Sequence, residues 1–276
     1  MNQSRSLQEQ KRSGTWQDRP AVNSTVRSGS RFKEVLYSLL DFLYPRRCVG
    51  CGQEGIWFCA ECQGKIVTIQ TPTCFFCQAI SEDGKTCPTC RAHYTLTGVV
   101  VFGYHEGILK DAVHALKYDF IKELADPLGG LLASTLVRLT LFAHNLRSMG
   151  VEHPERSHRR VEGPIIVPIP LHRKRLAQRG FNQSELIAHE IARRLGFSVN
   201  KNLVRVRNVT PQVELSGNAR RKNMTGVFAW RGQGLAGKTV LLVDDVATTG
   251  TTLDEAAKTL RSVGARQVWG VVVSKG

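Results

Sequence analysis

Beyond residue 96, short apolar runs alternate with amphipathic stretches along the chain. Five apolar runs bounded by turn residues predict strands, at residues 97–104, 165–171, 203–207, 240–243 and 268–273. Four stretches with apolar residues three or four positions apart predict helices, at residues 108–118, 124–142, 185–195 and 252–263. Strands that alternate with helices in this way predict an α/β fold with a parallel, doubly wound sheet flanked by helices.

Polar segments separate these elements. Residues 146–163 are charged and carry no hydrophobic pattern, so we expect a long loop there. The segment HRKRLAQRGFNQS (172–184) predicts a basic loop, and QVELSGNARRKN (212–223) predicts a second loop rich in Gly, Asn and Arg. We expect both basic loops to open on one edge of the sheet.

The chain before Pro45 has a different character. Residues 1–31 are polar, basic and rich in Ser, Arg and Gln, which predicts a disordered basic tail with no signal-peptide core. Residues 32–44 have helical apolar spacing and predict an amphipathic helix that Pro45 ends. No window reaches the roughly 20 apolar residues that span a bilayer, so we expect a cytoplasmic protein without a transmembrane segment.

Every cysteine belongs to a C-x-x-C pair. The pairs are Cys48/Cys51, Cys59/Cys62, Cys74/Cys77 and Cys87/Cys90. Such a hairpin holds two thiolates about 3.5–4 Å apart, which suits a tetrahedral zinc ion with Zn–S bonds of about 2.3 Å. Disulfides would need an oxidising compartment, and a redox pair would need a βαβ context that this segment lacks. The spacing therefore predicts two structural Zn²⁺ ions held by all eight cysteines.

Two zinc connectivities are compatible with the spacing. Sequential pairing gives C-x2-C-x7-C-x2-C followed by C-x2-C-x9-C-x2-C, whereas interleaved pairing would join the first pair with the third. Gly52 just after the first pair and Phe58 just before the second suit a tight ribbon, so we favour sequential pairing. Such modules bind nucleic acid, bind protein or stabilise a segment too small for a core, and the spacing does not distinguish these roles.

The strand that begins at Val240 runs directly into two acids, in the segment VLLVDDVATTGTTL. Its apolar residues predict a buried parallel strand, which places Asp244 and Asp245 at the edge where open α/β sheets bind ligands. Adjacent carboxylates repel each other, so stability alone gives no reason for the pair. We therefore expect Asp244 and Asp245 to hold a ligand.

The loop after the acids predicts an anion site. It comprises Ala247, Thr248, Thr249, Gly250, Thr251 and Thr252. Thr252 and Glu255 match a capping box, so a helix N-terminus with free N–H groups should lie at this loop. Carboxylates cannot touch the anion, but they can accept hydrogen bonds from two neighbouring hydroxyls attached to it. A cis-diol that carries a phosphate is a ribose 5-phosphate.

The segment VLLVDDVATTGTT resembles the phosphoribosyl-diphosphate (PRPP) motif of type I phosphoribosyltransferases. The basic loop after VPIPL stands where that family has its pyrophosphate loop, and residues 212–223 stand where it has a mobile flap. With the C-x-x-C pairs in front and an LKY segment, residues 32–276 resemble the ComF family of competence-associated proteins. The resemblance implies a type I phosphoribosyltransferase-like sheet (95–276) preceded by a helix and a double zinc-ribbon module (32–94).

The resemblance also implies a ligand and roles for several residues. Asp244 and Asp245 would grip the ribose hydroxyls of PRPP, and residues 247–252 would hold its 5-phosphate. Mg²⁺ would accompany the pyrophosphate, for which the expected cations are Arg173, Arg179, Arg220, Arg221 and Lys222. The reaction would displace pyrophosphate at the anomeric carbon. The acceptor stays open: a base, an amine or none.

A rival interpretation is the receiver domain of response regulators, which also begins with a strand ending in two acids. That domain needs a phosphoacceptor aspartate and a lysine far downstream, whereas only 31 residues follow Asp245. We therefore do not expect a receiver domain. His105 and His114 are assigned no chemistry, because single histidines beside helices are more often solvated or satisfied than ligands.

Three functions remain open: an enzyme that transfers phosphoribose to an unknown acceptor, a single-stranded DNA-binding protein of DNA uptake in competence, and a PRPP-sensing regulator. The net charge of +15 favours phosphate-bearing partners. Residues 161–276 hold 18 Lys and Arg against 8 Asp and Glu, which predicts weak DNA binding without sequence preference. The ComF resemblance further implies partners in the competence machinery.

Overall fold

The computed structural model describes residues 45–139, 163–207 and 225–276. Its helices are α1 (Ala60–Gly64), α2 (Pro88–Arg91), α3 (Gly107–Tyr118), α4 (Ala125–Arg138), α5 (Arg173–Arg179), α6 (Gln183–Leu195) and α7 (Thr251–Ser262), with short 3-10 turns at Glu82–Gly84 and Lys122–Leu124. Its strands are β1 (Gly98–Tyr104), β2 (Ile165–Pro168), β3 (Ser198–Val199), β4 (Leu203–Arg205), β5 (Phe228–Trp230), β6 (Thr239–Ala247) and β7 (Gln267–Lys275).

Several predicted segments lie outside the described residues: the tail 1–31, the helix 32–44, the loop residues 146–162, the flap 212–223 and the last residues of the predicted helix 124–142. Among the helices that the structure describes, none combines the length and the apolar character needed to cross a membrane.

The main sheet has five parallel strands in the order β1-β7-β6-β2-β3. This confirms the predicted parallel α/β sheet with flanking helices. The last strand of the chain, β7, is not at an edge of the sheet but lies between β1 and β6. Its apolar run is continuous because helices cover both of its faces.

The two faces of the sheet bury different helices. Leu241 and Val243 of β6 pack with α3, α4 and α6, whereas Val240 and Leu242 pack with α7. This alternation follows from the two-residue period of a strand. Burial of each such side chain contributes about 1.5–3 kcal/mol, so the central strands are held firmly and can position the residues at their carboxyl ends.

Two predictions about the middle of the chain were wrong. The strand predicted at 203–207 does not join the main sheet, because β4 pairs antiparallel with β5 in a separate two-stranded sheet. The predicted basic loop 172–184 is mostly helical, with α5 and the start of α6 inside it. Helix α5 buries none of its residues, so hydrophobic spacing could not reveal it; its Arg, Lys, Leu, Ala and Gln residues are good helix formers, and Gly180 ends it in a left-handed conformation.

Strand β1 is at an edge of the main sheet, and the segment that contains the C-x-x-C pairs covers its outer side. Isolated antiparallel bridges join Thr68 to Gly103 and Lys85 to Gly98. Such covering protects an edge strand from pairing with another chain. The segment and the sheet belong to one compact unit, Arg46–Gly276.

Candidate functional site

The eight cysteines form two clusters. One contains Cys48, Cys51, Cys59 and Cys62, and the other contains Cys74, Cys77, Cys87 and Cys90; within each cluster the Sγ atoms lie within 4.8 Å of one another. Across the two hairpins, the Sγ atoms of Cys51 and Cys59 are 3.7 Å apart in the first cluster, and those of Cys77 and Cys87 are 3.6 Å apart in the second. These clusters confirm the sequential pairing and fit tetrahedral zinc, whose bonds of about 2.3 Å separate neighbouring sulfurs by about 3.8 Å.

Backbone N–H groups donate hydrogen bonds to sulfur in both clusters, which favours the thiolate form of cysteine. The N–H groups of Cys59 and Cys87 point at Cys48 Sγ (3.4 Å) and Cys74 Sγ (3.5 Å). Burial raises the pKa of the Cys48 and Cys74 thiols, but the N–H donors outweigh it and lower each pKa from 9.0 to about 6. The donor set and its second layer of hydrogen bonds therefore suit two structural zinc ions.

The predicted acid pair lies near the carboxyl end of β6, which continues through Ala247. Asp245 is only 3% exposed. Its Oδ1 accepts hydrogen bonds from the Val246 N–H (2.6 Å) and from Lys117 Nζ (2.9 Å). Its Oδ2 is buried and has no hydrogen-bond partner among the described residues. A buried carboxylate oxygen without a donor is energetically costly.

Asp244 is half-buried and faces a different neighbour. Its Oδ1 accepts hydrogen bonds from the Ser184 hydroxyl (2.8 Å) and from the Asp245 N–H (2.9 Å). Burial, followed by the adjacent Asp245 charge, raises the pKa of Asp244 from 3.8 to about 7, although Ser184 and Lys117 oppose this. The two carboxylates therefore lie close enough for the charge of one to affect the other.

Two residues that the sequence analysis missed lie beside the acid pair. Lys117, in the last turn of α3, is the ion-pair partner of Asp245, with its side chain 18% exposed. His105 follows β1, and its Nδ1 lies 2.9 Å from the hydroxyl of the buried Ser274. Burial and the Lys117 charge lower the pKa of His105, against a smaller opposite effect of Asp245. The LKY segment was the available signal for Lys117, and the position of His105 directly after a strand was the signal for the histidine.

The threonine loop lies between β6 and α7, as predicted, but its capping differs. Gly250 is the N-cap of α7, with a φ of 72° and no capping side-chain hydrogen bond. Glu255 accepts instead from the Gly226 N–H (2.8 Å) and Lys258 Nζ (3.0 Å). The expected capping box is therefore absent. The first N–H groups of α7 have no intrahelical acceptor, which leaves them available to an anion.

The remaining loop residues are arranged around this helix start. Ala247 is buried as the last residue of β6, and Thr252 lies in the first turn of α7. Thr248 and Thr249 are exposed, and the hydroxyls of Thr249 and Thr251 are 2.8 Å apart. A pocket of about 340 Å³ opens beside them and is lined by Phe75, Phe76, Gln78, Tyr94, Thr248, Thr249, Thr251, Lys275 and Gly276.

The predicted cations are only partly described. Arg173 is exposed in the first turn of α5, while Arg179 donates to Gln183 Oε1 (2.6 Å) and lies 5.4 Å from the centre of the Tyr118 ring. Since Tyr118 follows Lys117, this places Arg179 near the corner that holds the acid pair. Arg220, Arg221 and Lys222 lie outside the described residues.

Arg205 of β4 is a further cation that the sequence analysis did not select. Its Nε is buried without a hydrogen-bond partner among the described residues, and its guanidinium lies 5.9 Å from the centre of the Phe228 ring. Burial and the neighbouring charge of Arg175 lower the pKa of Arg205, and Asp244 raises it. A half-buried guanidinium beside a second guanidinium is an arrangement that an anionic ligand would stabilise.

Comparison with known proteins identifies the family. Residues 182–275 match the phosphoribosyl transferase domain, and residues 39–91 match the double zinc ribbon domain. Competence protein F of Haemophilus influenzae is 30% identical over 230 residues, which are 77% of this chain and 95% of that protein. The chain belongs to the competence protein F (ComF) family.

Other similar proteins cover less of the chain. DNA utilization protein YhgH of Salmonella typhimurium is 36% identical over 160 residues, 57% of this chain and 63% of that protein. Competence protein ComFC of Bacillus subtilis is 32% identical over 100 residues, 36% of this chain and 39% of that protein. A solved structure of the glutamine phosphoribosylpyrophosphate amidotransferase from B. subtilis aligns with 54% of this chain and 25% of its own, at 20% identity and a TM-score of 0.32.

The match to the phosphoribosyl transferase domain starts just before α6 and contains β6 and α7. His105 and Lys117 precede the matched residues, yet the structure brings both to the acid pair. In this ComF chain, the corner around Asp245 is therefore built from the matched domain together with the β1–α3 unit.

Proposed function

We propose that this ComF-family chain binds PRPP with Mg²⁺ at the carboxyl end of β6. The observation that carries the proposal is the buried Asp245, which lies a few residues before the helix start at Gly250 and whose Oδ2 has no hydrogen-bond donor among the described residues. A ribose 5-phosphate offers both missing partners, because its hydroxyls donate to carboxylates and its phosphate accepts from N–H and hydroxyl groups.

The ribose would lie over the acid pair. Asp245 Oδ2 and the half-buried Asp244 accept hydrogen bonds from O2′ and O3′. Each charge-assisted bond contributes about 1.5–3 kcal/mol, which also offsets the cost of the unpartnered oxygen. Lys117 orients Asp245 through its 2.9 Å ion pair, so it acts as a positioning residue.

The two phosphate ends would lie on opposite sides of the ribose. Residues 247–252 hold the 5-phosphate at the start of α7, where backbone N–H groups and the helix dipole favour an anion. Arg173, Arg179 and Arg205 are the described candidates for the pyrophosphate, and Arg220, Arg221 and Lys222 are the candidates from the predicted flap. Mg²⁺ would neutralise part of the pyrophosphate charge.

Phosphoribosyl transfer is the reaction that such a site supports. A nucleophile forms a bond to C1′ while the bond from C1′ to the pyrophosphate oxygen breaks, and pyrophosphate leaves with the electron pair. The protein would hold the ribose, bind the departing charge and exclude water. Release of pyrophosphate from PRPP in the presence of an acceptor would identify an enzyme, and PRPP binding without release would identify a sensing regulator.

Calorimetric titration with ribose 5-phosphate and 2-deoxyribose 5-phosphate tests the ligand assignment. The two ligands share the phosphate and differ in one hydroxyl of the diol. We expect the deoxy sugar to bind about tenfold more weakly, because it loses at least one hydrogen bond to a carboxylate. Equal affinities would show that the acid pair does not grip the diol.

A second candidate function is weak binding of single-stranded DNA, as part of DNA uptake in the cytoplasm of competent cells. The excess of Lys and Arg in residues 161–276 and the names of the similar competence and DNA utilization proteins support it. Triple replacement of Arg220, Arg221 and Lys222 by Ala should weaken retention in gel shifts and reduce its salt dependence, by about 0.7 in the log–log slope per lost contact. Unchanged retention with an unchanged slope would exclude the flap from a DNA surface.

A further inference from the structure

The second zinc ribbon packs against the loop to which we assign the 5-phosphate. We propose that Phe75 and Phe76, the two residues inside the C-F-F-C hairpin, position this loop, so that zinc at the second cluster and ligand binding at the loop are coupled. The identity of the ligand rests on the proposed function, whereas the contact itself is seen in the structure.

The contact is closest at Gly250. A Cβ built on Gly250 would lie 2.9 Å from Phe75 Cε1 and 3.0 Å from Phe76 Cε1, so both rings lie directly on the backbone of the loop. Gly250 also has a φ of 72°, which favours glycine. No side chain other than hydrogen could be placed here without moving the hairpin.

Both aromatic rings are themselves held. Phe75 is 5% exposed, its carbonyl accepts from Lys275 Nζ at 3.3 Å, and the same Nζ lies 4.7 Å from the centre of its ring. Phe76 stacks on Tyr94, with ring centres 3.5 Å apart and planes 8° apart. The hairpin therefore cannot shift without disturbing both the last residues of β7 and the exit of the ribbon.

A second tie joins the ribbon to the first turn of α7. Oδ1 of the buried Asp254 accepts hydrogen bonds from the N–H groups of Thr95 (2.6 Å) and Leu96 (3.2 Å). Because Asp254 lies four residues after Gly250, the loop is flanked on one side by the C-F-F-C hairpin and on the other by a turn bonded to the segment that leaves the ribbon. Ordering of the second ribbon therefore orders the loop.

The first ribbon lacks this arrangement. Its corresponding hairpin is C-V-G-C, and a Cβ on Gly50 would meet Cys62 Sγ at 2.7 Å and Ile108 Cδ1 at 2.9 Å. Among the described residues, the C-V-G-C hairpin of the first ribbon packs on Ile108 at the start of α3, whereas the C-F-F-C hairpin packs on the threonine loop. The chain therefore contains its own control, because the two metal clusters have the same ligands and different neighbours.

Amide hydrogen exchange on the ligand-free full chain tests the coupling. Cys77→Ser and Cys51→Ser are a matched pair of variants. Each removes the second cysteine of the first C-x-x-C hairpin in its own ribbon, and both thiols are exposed. With one zinc lost in each variant, we expect Cys77→Ser to speed exchange at residues 248–254 by about tenfold or more and Cys51→Ser to leave it near wild type. Equal effects of the two variants, or no effect of either, would overturn the proposal.

Variants that keep both zinc ions guard against simple unfolding. Phe76→Ala should speed exchange in the same residues and weaken ribose 5-phosphate binding, and Phe76→Tyr should restore both. If Phe76→Ala changes neither the exchange rate nor the affinity for ribose 5-phosphate, the proposal is overturned, even if Cys77→Ser does not fold. If the wild type binds no ribose 5-phosphate but the exchange results hold, the proposed ligand is wrong and the coupling stands.

Discussion

The zinc clusters and the acid pair are two concentrations of negative charge in the same compact unit, and they are satisfied in opposite ways. Each thiol cluster has four Sγ atoms spaced to bind one zinc ion, and a backbone N–H group donates a hydrogen bond to one of them. At the acid pair, one buried oxygen of Asp245 has no donor in the part of the chain that the structure describes, and the pKa of Asp244 is raised. The first region needs only a metal to be complete, whereas we propose that a ligand completes the second.

This difference separates a structural role from a binding role. A closed cluster contributes its binding energy to folding, so its loss should unfold the ribbon. An unsatisfied pair of acids lowers the stability of the fold, and such a pair is tolerated where hydrogen bonds to a ligand offset that loss. Removal of a zinc ion should therefore destabilise the protein, whereas removal of the Asp244 charge should stabilise the ligand-free protein, and the predictions below test this contrast.

Zinc removal should give the largest effect. Metal analysis of protein purified without chelator should find close to two zinc ions per chain. Structural zinc in small fingers contributes about 10–16 kcal/mol of apparent binding free energy, so EDTA should unfold residues 46–92 before the sheet. Hydrogen exchange resolved along the chain measures this order, and simultaneous unfolding of ribbon and sheet would contradict it.

Removal of Lys117 should destabilise the acid corner. Lys117→Met leaves a buried carboxylate without its cation, at an expected cost of about 2–3 kcal/mol, discounted from about 3–5 for fully buried pairs because Lys117 is 18% exposed. Urea unfolding at pH 7.5 measures the loss. The exposed Lys110→Met variant serves as the control. If both variants lose the same free energy of unfolding, the ion pair does not contribute to stability.

Replacement of Asp244 should stabilise the ligand-free protein. Because its folded pKa is raised from 3.8 to about 7, the unfolded chain releases this proton first, and stability falls as pH rises from about 4 to 7. Asp244→Asn should remove this part of the pH dependence and add about 1–2 kcal/mol at pH 8, discounted for partial exposure. Thermal unfolding across pH checks it against the exposed Asp111→Asn. A destabilised Asp244→Asn variant would refute the proposed repulsion.

Arg205 should give the smallest effect. Arg205→Met should weaken PRPP binding about threefold to tenfold, the worth of one charge-assisted bond to a partly solvated phosphate. The neighbouring Arg207, which donates to the Thr225 carbonyl at 2.8 Å, provides the control variant Arg207→Met. Equal affinities for the two variants would remove Arg205 from the site.

Short-range patterns explain what the sequence could predict. The C-x-x-C spacing determines which thiols can share a metal, and the apolar runs determine which segments form buried strands. The acid pair and the threonine loop are contiguous in the chain, so their place at a strand end was readable as well. Helix α5 was missed because it has no buried face to mark it.

Long-range contacts explain what the sequence could not predict. Lys117 meets Asp245 across the fold, and Asp254 caps Thr95 from 159 residues away. Packing of α3 against the sheet and of the ribbon against α7 brings these groups together, and neither packing leaves a local pattern. The antiparallel pairing of β4 with β5 depends in the same way on residues separated by a loop.

The most direct test of the central claim is a calorimetric titration of wild type and Asp245→Asn with PRPP and Mg²⁺. The substitution keeps the shape of the side chain and replaces its charged acceptor with a weaker amide. We predict that the affinity falls tenfold or more, because one or two hydrogen bonds of about 1.5–3 kcal/mol each are lost, while the control Asp111→Asn binds as the wild type does. Equal affinity of wild type and Asp245→Asn, or no binding by the wild type, would contradict the assignment of this edge as a PRPP site.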